Sequence, residues 1–262
     1  MKLLFVHDSK YEVKDGLWAA LNLLEKQGFE IVRVNLQQGT PREYFDFTLG
    51  WGGFNSPVDK ILQSECKGKK GLCIAGNAFS PVGQDNYDVL FYETEWYLPQ
   101  IQHHKNVVRA FGINSDIYKP ILDAIKIWDW VSVGAFALWK RQHLLKNKGG
   151  YKLAIGEIQK NNISESVDII GDLLYNQIMI SDMVEPEKLA MIYNSADKIF
   201  IPADINGGGE RAVLEAQACG VPVEVENDNP KLKELLTWTE RGRIPDQYWY
   251  ADQLKCGIES CF

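Results

Sequence analysis

The sequence lacks the marks of several protein classes. Its five cysteines are odd in number and show no Cys-x-x-Cys spacing, so neither a disulfide framework nor a structural zinc site is indicated. The first apolar run ends at Val6, before His7 and Asp8, and is too short for a signal peptide or a membrane span. Unpaired thiols fit a reducing compartment, and we expect a cytoplasmic protein without a membrane span.

Positive charge is also scarce. The 28 lysines and arginines are outnumbered by 35 aspartates and glutamates, which gives a formal net charge of −7. Because non-specific attraction to nucleic acid or anionic lipid grows with positive charge, we do not expect the whole surface to bind either. A local basic strip runs from Lys140 to Lys152, and it is interpreted either as a solvated helix end or as a nucleic-acid contact.

Two further absences narrow the fold and the function. No internal repeat or low-complexity tract interrupts the chain, and no Gly-x-Gly-x-x-Gly follows the first apolar run, which argues against a nicotinamide-dependent dehydrogenase. The composition, with 45% hydrophobic and 24% charged residues, is that of a globular protein. A chain of 262 residues can hold two α/β domains that each bury a core.

What is present is an alternation of short apolar runs and helical patterns. A strand at 2–6 leads to a helix that begins at Gly16 and stops at Gly28, and another strand follows directly at 30–35. This order predicts an α/β fold with parallel sheets and crossover helices. Further strands are predicted at 45–49, 71–75, 89–92, 107–111, 130–133, 153–155, 177–180 and 198–201, with helices around 138–146, 164–174 and 185–195.

The turn-rich segment AFGINSDIYKP at 110–120 predicts a domain boundary. We therefore expect an N-terminal Rossmann-like domain at 1–118 and a C-terminal one at 119–262, with the option that the last helix packs back on the first domain. Because ligands bind at the carboxyl ends of parallel strands, the loops after the strands are the candidate binding segments.

A glycine-rich loop precedes one of the predicted helices. Gly207, Gly208 and Gly209 lead into the helix that starts at Glu210, and Gly220 stops that helix. Glycines let the backbone approach a ligand closely, while the N–H groups and dipole at a helix start favour an anion such as a diphosphate. Alternatively, the glycines serve turn geometry alone, with Arg211 and Glu215 as an i,i+4 surface pair.

The segment LEAQACGVPV at 214–223 resembles the retaining nucleotide-sugar glycosyltransferases of family four. The resemblance implies the B-type fold of two facing Rossmann-like domains with a ligand cleft between them, and it implies that Glu215 holds the nucleotide ribose hydroxyls. The family has a first acid eight residues before this glutamate, where this chain has Gly207. Glu210 or Asp204 is the candidate substitute for that acid.

Other segments carry the same resemblance. VGAFALWK at 133–140 is similar to the family's Val-Gly-Arg-Leu-x-x-x-Lys, which implies that Lys140 binds the donor diphosphate. The arginine is replaced by Ala135, and Arg141 or Arg211 can supply the missing charge. Residues 178–201 resemble the stretch that walls the nucleotide base. The donor site implied by all these matches comprises Gly134, Lys140, Arg141, Met183, Val184, Gly208, Gly209, Glu210, Arg211 and Glu215, with Asp182 near the base.

The acceptor is expected on the N-terminal domain. Trp51 and Trp96 can stack on a sugar or a base, or simply pack, and Glu93 or Glu95 can orient the acceptor hydroxyl or take its proton. The other candidates there are His7, Gly16 and Asn77.

The catalytic candidates are Lys140, Glu210 and Glu95. The sequence contains no convincing Asp-x-Asp motif, so we expect no metal and no cofactor. The expected function is sugar transfer from a UDP-sugar, such as UDP-glucose, to a hydroxyl acceptor with retention of configuration. The alternatives are transfer to hydroxymethylated DNA bases, and a non-catalytic module that binds nucleotide sugars.

Overall fold

A computed structural model describes residues 1–8, 15–39, 44–76, 83–207 and 210–262. The chain divides into two compact units, the first formed by residues 1–114 with 245–262 and the second by residues 115–244. Among the helices of these ranges, none has both the length and the apolar character needed to cross a bilayer.

The first unit is built on a six-stranded parallel sheet, in the order β2-β1-β3-β4-β5-β6. Along β1, Leu3 and Phe5 pack into one core cluster and Leu4 and Val6 into another, so successive residues cover opposite faces of the sheet. The strands are β1 Lys2–His7, β2 Glu30–Asn35, β3 Phe47–Gly52, β4 Lys69–Ile74, β5 Val89–Tyr92 and β6 Val107–Arg109, and the helices between them are α1 Gly16–Lys26, α2 Pro57–Ser64 and α3 Leu98–Ile101.

Capping side chains start the first two helices. The carboxylate of Asp15 accepts a hydrogen bond from the backbone N–H of Trp18, and the hydroxyl of Ser56 accepts one from Asp59, with Pro57 at the first position of α2. Gly28, at φ +96°, follows the end of α1. Helix α2 was not predicted from the sequence.

The second unit is a five-stranded parallel sheet in the order β11-β10-β7-β8-β9. Its central strand β7 therefore has β8 on one side and β10 on the other. The strands are β7 Trp128–Val133, β8 Lys152–Gly156, β9 Met179–Asp182, β10 Ala196–Ile201 and β11 Val223–Val225, and the helices are α4 Ile163–Tyr175, α5 Pro186–Asn194, α6 Arg211–Ala218 and α7 Pro230–Thr237.

The predicted helix around 138–146 is wrong in type. Two 3₁₀ segments, Leu138–Lys140 and Gln142–Asn147, occupy this stretch, and Arg141 separates them in a left-handed conformation with φ +51°. Tertiary bonds account for the break, because Nε of Arg141 donates to the carbonyl of Pro202 and the buried amide of Gln142 donates to that of Ile155. An α-helix from 138 to 146 is therefore not formed.

The last helix, α8 (Gln247–Glu259), belongs to the first unit. The sequence-based division ended the second domain at residue 262 but included the option that this helix packs back on the first domain, as it does here. Its buried residues Ala251, Leu254 and Ile258 lie in the same core cluster as Phe5 of β1. A Cβ on Gly257 would lie 2.5 Å from the ring of Phe91, so the helix approaches the sheet closely at a glycine. Burial of this apolar face explains why the chain returns to the first unit.

Candidate functional site

The strand order of the second unit defines a topological switch point. From β7 the chain continues to β8 on one side, and from β10 it continues to β11 on the other side. In open parallel sheets, ligands bind outside the carboxyl ends of the two strands where the order reverses. The loops at this point are residues 134–140 after β7 and residues 202–210 after β10.

An ion pair joins these two loops. The ammonium of Lys140 bonds to Oε2 of Glu210, and the two side chains are only 12% and 10% exposed. The same ammonium lies 4.5 Å from the ring centroid of Trp139. The backbone of Gly134, at φ +149°, lies close to the methylene chain of Lys140. A Cβ at position 134 would lie 3.0 Å from Cδ of the lysine, so this close approach favours glycine.

The second carboxylate oxygen of Glu210, Oε1, is buried without a hydrogen-bond partner in the described part of the chain. Buried carboxylate oxygens are normally hydrogen-bonded, so an open acceptor at a switch point is the kind of group that a ligand satisfies.

Gly207 lies against this carboxylate. A Cβ at position 207 would be 2.8 Å from Oε1 of Glu210 and 3.2 Å from the indole ring of Trp139. Any side chain at 207 would therefore displace Glu210 or Trp139. The carboxylate of Glu210 stands beside the position at which the resemblance places the missing first acid. Asp204, the other candidate substitute, has one carboxylate oxygen on the backbone N–H of Asn206 at 2.8 Å.

Two residues at the start of α7 hold this loop, and sequence reasoning did not single them out. Asn229 and Lys231 are both 0% exposed, and both donate to loop carbonyls. A signal was present, because Asn229-Pro230 has the form of a helix cap and first turn, and Lys231 shares a helix face with the buried Leu235. A lysine on the apolar face of a helix marks a buried charge that needs partners.

Arg141 is held in place by its own contacts. Its guanidinium forms a bidentate ion pair with Asp228, both N···O distances being 2.7 Å, and Nε donates to Pro202. These hydrogen bonds hold the pKa of Asp228 below its usual value and raise the pKa of Arg141. Arg141 thus braces the start of the loop that carries Gly207.

Glu215 lies on α6 in a cluster with two tyrosines. The carboxylate is 7% exposed and accepts a hydrogen bond from the hydroxyl of Tyr193 at 3.3 Å. Burial first, and then the negative charge of Glu215, raise the pKa of Tyr118 and of Tyr193, and the positive charge of Arg211 opposes this for Tyr118. The structure therefore brings Arg211 and Glu215 into one buried cluster in which the carboxylate already receives a hydroxyl donor.

The other residues expected to bind the donor lie at the end of β9 or outside the described residues. Met183 and Val184 follow β9 at the sheet edge, with Met183 exposed and Val184 half-buried, while Asp182 is exposed at the end of that strand. Gly208 and Gly209 lie outside the described residues.

The candidates of the first unit fall into packed and accessible groups. A Cβ on Gly16 would lie 1.9 Å from the carbonyl oxygen of Gly112, so packing alone requires this glycine. His7 is buried and its ring stacks on Phe5. Trp51 is half-buried against the core. Asn77 lies outside the described residues.

The loop after β5 holds the accessible candidates. Glu95 has a side chain that is 51% exposed, lies 3.5 Å from the guanidinium of Arg109 and accepts from the hydroxyl of Tyr92 at 3.3 Å. Trp96 is half-buried beside it, whereas Glu93 is buried. Glu95 and Trp96 thus form a neighbouring pair of a carboxylate and an indole at the carboxyl edge of the first sheet.

The basic strip is largely neutralised. Besides Lys140 and Arg141, Lys146 pairs with Asp172 and Lys148 with Glu224, and the ammonium of Lys152 donates to a backbone carbonyl. Each lysine and arginine of the strip is therefore bonded within the protein. This arrangement does not favour the strip as a nucleic-acid contact.

No family model and no curated protein matches this sequence. Solved structures do match over nearly the whole chain. Sucrose-phosphate synthase from Thermosynechococcus elongatus is 14% identical with a TM-score of 0.68, covering 100% of this chain and 90% of its own. HepE from Anabaena, in complex with UDP and glucose, is 13% identical with a TM-score of 0.63, covering 100% of this chain and 89% of its own.

A third match is AviGT4, a glycosyltransferase involved in avilamycin A biosynthesis, at 12% identity and a TM-score of 0.62, covering 99% of this chain and 88% of its own. These likenesses confirm the predicted fold class, two parallel-sheet α/β domains of the glycosyltransferase B-type fold. The UDP-GlcNAc 2-epimerase from Methanocaldococcus jannaschii also matches, at 13% identity and a TM-score of 0.52, over 99% of each chain. Proteins of this fold thus include a glycosyltransferase and an epimerase, so the fold alone does not decide the activity of this chain.

Proposed function

We propose that this chain is a glycosyltransferase that moves a sugar from a UDP-sugar to a hydroxyl acceptor. The observation that carries the proposal is the Lys140–Glu210 pair at the switch point of the second sheet, in which Oε1 of Glu210 has no hydrogen-bond partner among the described residues. A cation beside a glycine-rich helix start suits a diphosphate, and a carboxylate beside it suits a sugar hydroxyl.

Lys140 stabilises the departing diphosphate. An ammonium carries three N–H donors, so Lys140 can keep its bond to Glu210 and still donate to phosphate oxygens. Charge that develops on the leaving group is stabilised most by a cation fixed in place beforehand, and the contacts to Gly134, Trp139 and Glu210 fix this one. Arg211 adds positive charge at the start of α6.

Glu210 binds a hydroxyl of the transferred sugar through Oε1. The carboxylate replaces the family's first acid from a position three residues later in the chain. Glu215 binds the ribose hydroxyls, and the hydroxyls of Tyr118 and Tyr193 contribute to the same site. Met183 and Val184 line the nucleotide base. Transfer proceeds with retention of configuration and without a metal ion; loss of activity in a chelator, restored by a divalent cation, would contradict this last point.

The acceptor binds the first unit beside Glu95 and Trp96. The indole offers a flat face for a sugar or another ring, and the exposed carboxylate can accept the hydrogen bond of the acceptor hydroxyl and then its proton. Arg109 and Tyr92 hold Glu95 in place for this role.

The test is a thermal-shift screen of nucleotide sugars, with Lys140→Ala and Glu215→Ala as the site variants. A ligand that binds only the folded protein raises the melting temperature with occupancy, so UDP-sugars should raise that of the wild type and much less that of either variant. Equal shifts in all three proteins would refute the site. Release or transfer of labelled sugar then distinguishes an enzyme from a binding module, since binding without hydrolysis or transfer over a broad acceptor panel would refute the catalytic claim.

A further inference from the structure

The loop between β10 and α6 rests on side chains from α7. The amide of Asn229 donates to the carbonyls of Ala203 and Asp204 at 3.0 and 2.8 Å. The ammonium of Lys231 donates to the carbonyl of Ile205 at 2.9 Å and to that of Gly207. Two side chains thus hold the loop over its length up to Gly207.

These two side chains also hold each other in place. The carboxamide oxygen of Asn229 accepts a hydrogen bond from the backbone N–H of Lys231 at 3.1 Å and so caps α7. The position of the ammonium is therefore fixed by the start of a helix. Movement of Gly207 relative to α7 would break its contact with Lys231, and movement of Ala203 or Asp204 would break the contacts with Asn229.

Lys231 places an ammonium group on the carbonyls of Ile205 and Gly207, which a neutral N–H donor could also satisfy. Its side chain is 0% exposed, and burying an ammonium is costly unless other interactions offset the loss of hydration. A buried charge is poorly screened by water or salt, so it contributes to the potential of the loop that it contacts. Lys140 contacts the same loop through Glu210.

We propose that Lys231 is a positioning residue for the donor diphosphate. It fixes the backbone from Ile205 to Gly207 and brings an ammonium group beneath the loop, in a chain where Ala135 stands at the position where an arginine is expected. The inference rests on the proposed function, because it concerns the same donor loop. It predicts that Lys231 favours the diphosphate and does not affect recognition of the nucleoside.

The experiment is calorimetry with UDP and with uridine on the full chain, comparing wild type, Lys231→Met and Lys231→Gln. Both variants should bind UDP at least about tenfold more weakly, since the charge-assisted hydrogen bonds are lost, while uridine affinity changes less than about twofold. Lys231→Gln keeps an N–H donor without the charge, on a side chain that is one bond shorter. It therefore separates the charge from the hydrogen bond, and it serves as the test if Lys231→Met does not fold.

Lys126→Met is the matched control. The ammonium of Lys126 also donates to two backbone carbonyls of the second unit, those of Asn194 and Ala196, at 3.0 and 2.6 Å. This variant should bind UDP as the wild type does. An equal loss of UDP and uridine affinity in the Lys231 variants, or no loss, would overturn the inference and leave Lys231 a support of the fold. Failure of the wild type to bind UDP at all would instead refute the proposed function.

Discussion

The carboxylate of Glu210 occupies the space that a side chain at position 207 would need. A Cβ on Gly207 would lie 2.8 Å from Oε1 of Glu210. The absence of an acid at 207 and the presence of one at 210 are therefore linked by packing. The carboxylate is paired with Lys140 through one oxygen, and its other oxygen is buried without a partner among the residues that the structure describes. This relationship gives the first two predictions.

Glu210→Gln should impair transfer without weakening UDP binding. The variant keeps the shape of the side chain but removes the charge that accepts the sugar hydroxyl, and hydrogen bonds to charged groups contribute about 1.5–3 kcal/mol. We expect kcat/KM for the UDP-sugar to fall about 10- to 100-fold. The Kd of UDP alone should stay equal or decrease, because a negative charge near the diphosphate is removed. Glu224→Gln, which changes the Lys148 ion pair of the same unit, is the control. Unchanged kcat/KM in Glu210→Gln would contradict the assignment.

Moving the carboxylate from position 210 to position 207 should restore transfer activity that is lost when Glu210 is removed. Gly207→Glu alone places a side chain against Glu210 and Trp139 and should lower activity, and Glu210→Gly alone removes the carboxylate. In the double variant the vacated space can receive the carboxylate from position 207, so its activity should exceed that of either single variant by about tenfold. Transfer rates with labelled donor measure this coupling. Purely additive losses would show that the two positions do not share one function.

The sequence alone predicted those secondary-structure elements whose local residue pattern agrees with the packing of the folded chain. The run Val89–Tyr92 was predicted with the bounds of β5, because four buried residues between turns allow little else. The helix after the glycine-rich segment was predicted from Glu210 onward, and α6 spans Arg211–Ala218. The Lys140–Glu210 contact was not predicted, although both residues were candidates, because they are separated by 70 positions and meet only through the strand order.

The failures share one cause, which is long-range contact. Gln142 and Arg141 interrupt a helical pattern because their side chains bind distant carbonyls. Lys231 was not singled out, because its partners lie in a loop more than twenty residues earlier. No periodicity contains these pairings, so tertiary structure decides them.

Gly16→Ala should destabilise the first unit. The added methyl would meet the carbonyl oxygen of Gly112 at 1.9 Å, and both partners are backbone that cannot rotate away. We expect the free energy of unfolding to fall by about 3 kcal/mol or more, at the upper end for overpacked sites. Gly171→Ala in α4 is the control, since nothing lies within 4 Å of its Cβ position and alanine favours helix by about 1 kcal/mol. Urea unfolding gives both values. Equal stability of Gly16→Ala and wild type would show that this contact is relaxed in solution.

Glu95→Gln should reduce transfer and leave donor binding intact. The side chain is 51% exposed, so the stability of the protein should change by less than about 0.5 kcal/mol. Loss of a general base typically lowers the rate about 10²- to 10⁴-fold, and kcat is the parameter that should fall. The UDP-induced thermal shift should match that of the wild type. A variant with wild-type kcat would remove Glu95 from the mechanism and leave its contacts with Arg109 and Tyr92 as structural.

The tyrosines around Glu215 should make the fold sensitive to alkali. Burial and the negative charge of Glu215 raise the pKa of Tyr118 and Tyr193, whereas the same groups in the unfolded chain ionise near a pKa of about 10. Above that pH the unfolded state releases protons that the folded state retains, so the free energy of unfolding falls as pH rises; below it, the contribution is constant. Each tyrosine adds a slope of about 1.4 kcal/mol per pH unit. Tyr193→Phe should flatten the dependence between pH 10 and 11 by about that amount, whereas Tyr175→Phe, 87% exposed, should not. Parallel curves for wild type and Tyr193→Phe would show that Tyr193 ionises in the folded protein as it does in the unfolded chain, which would contradict its burial beside Glu215.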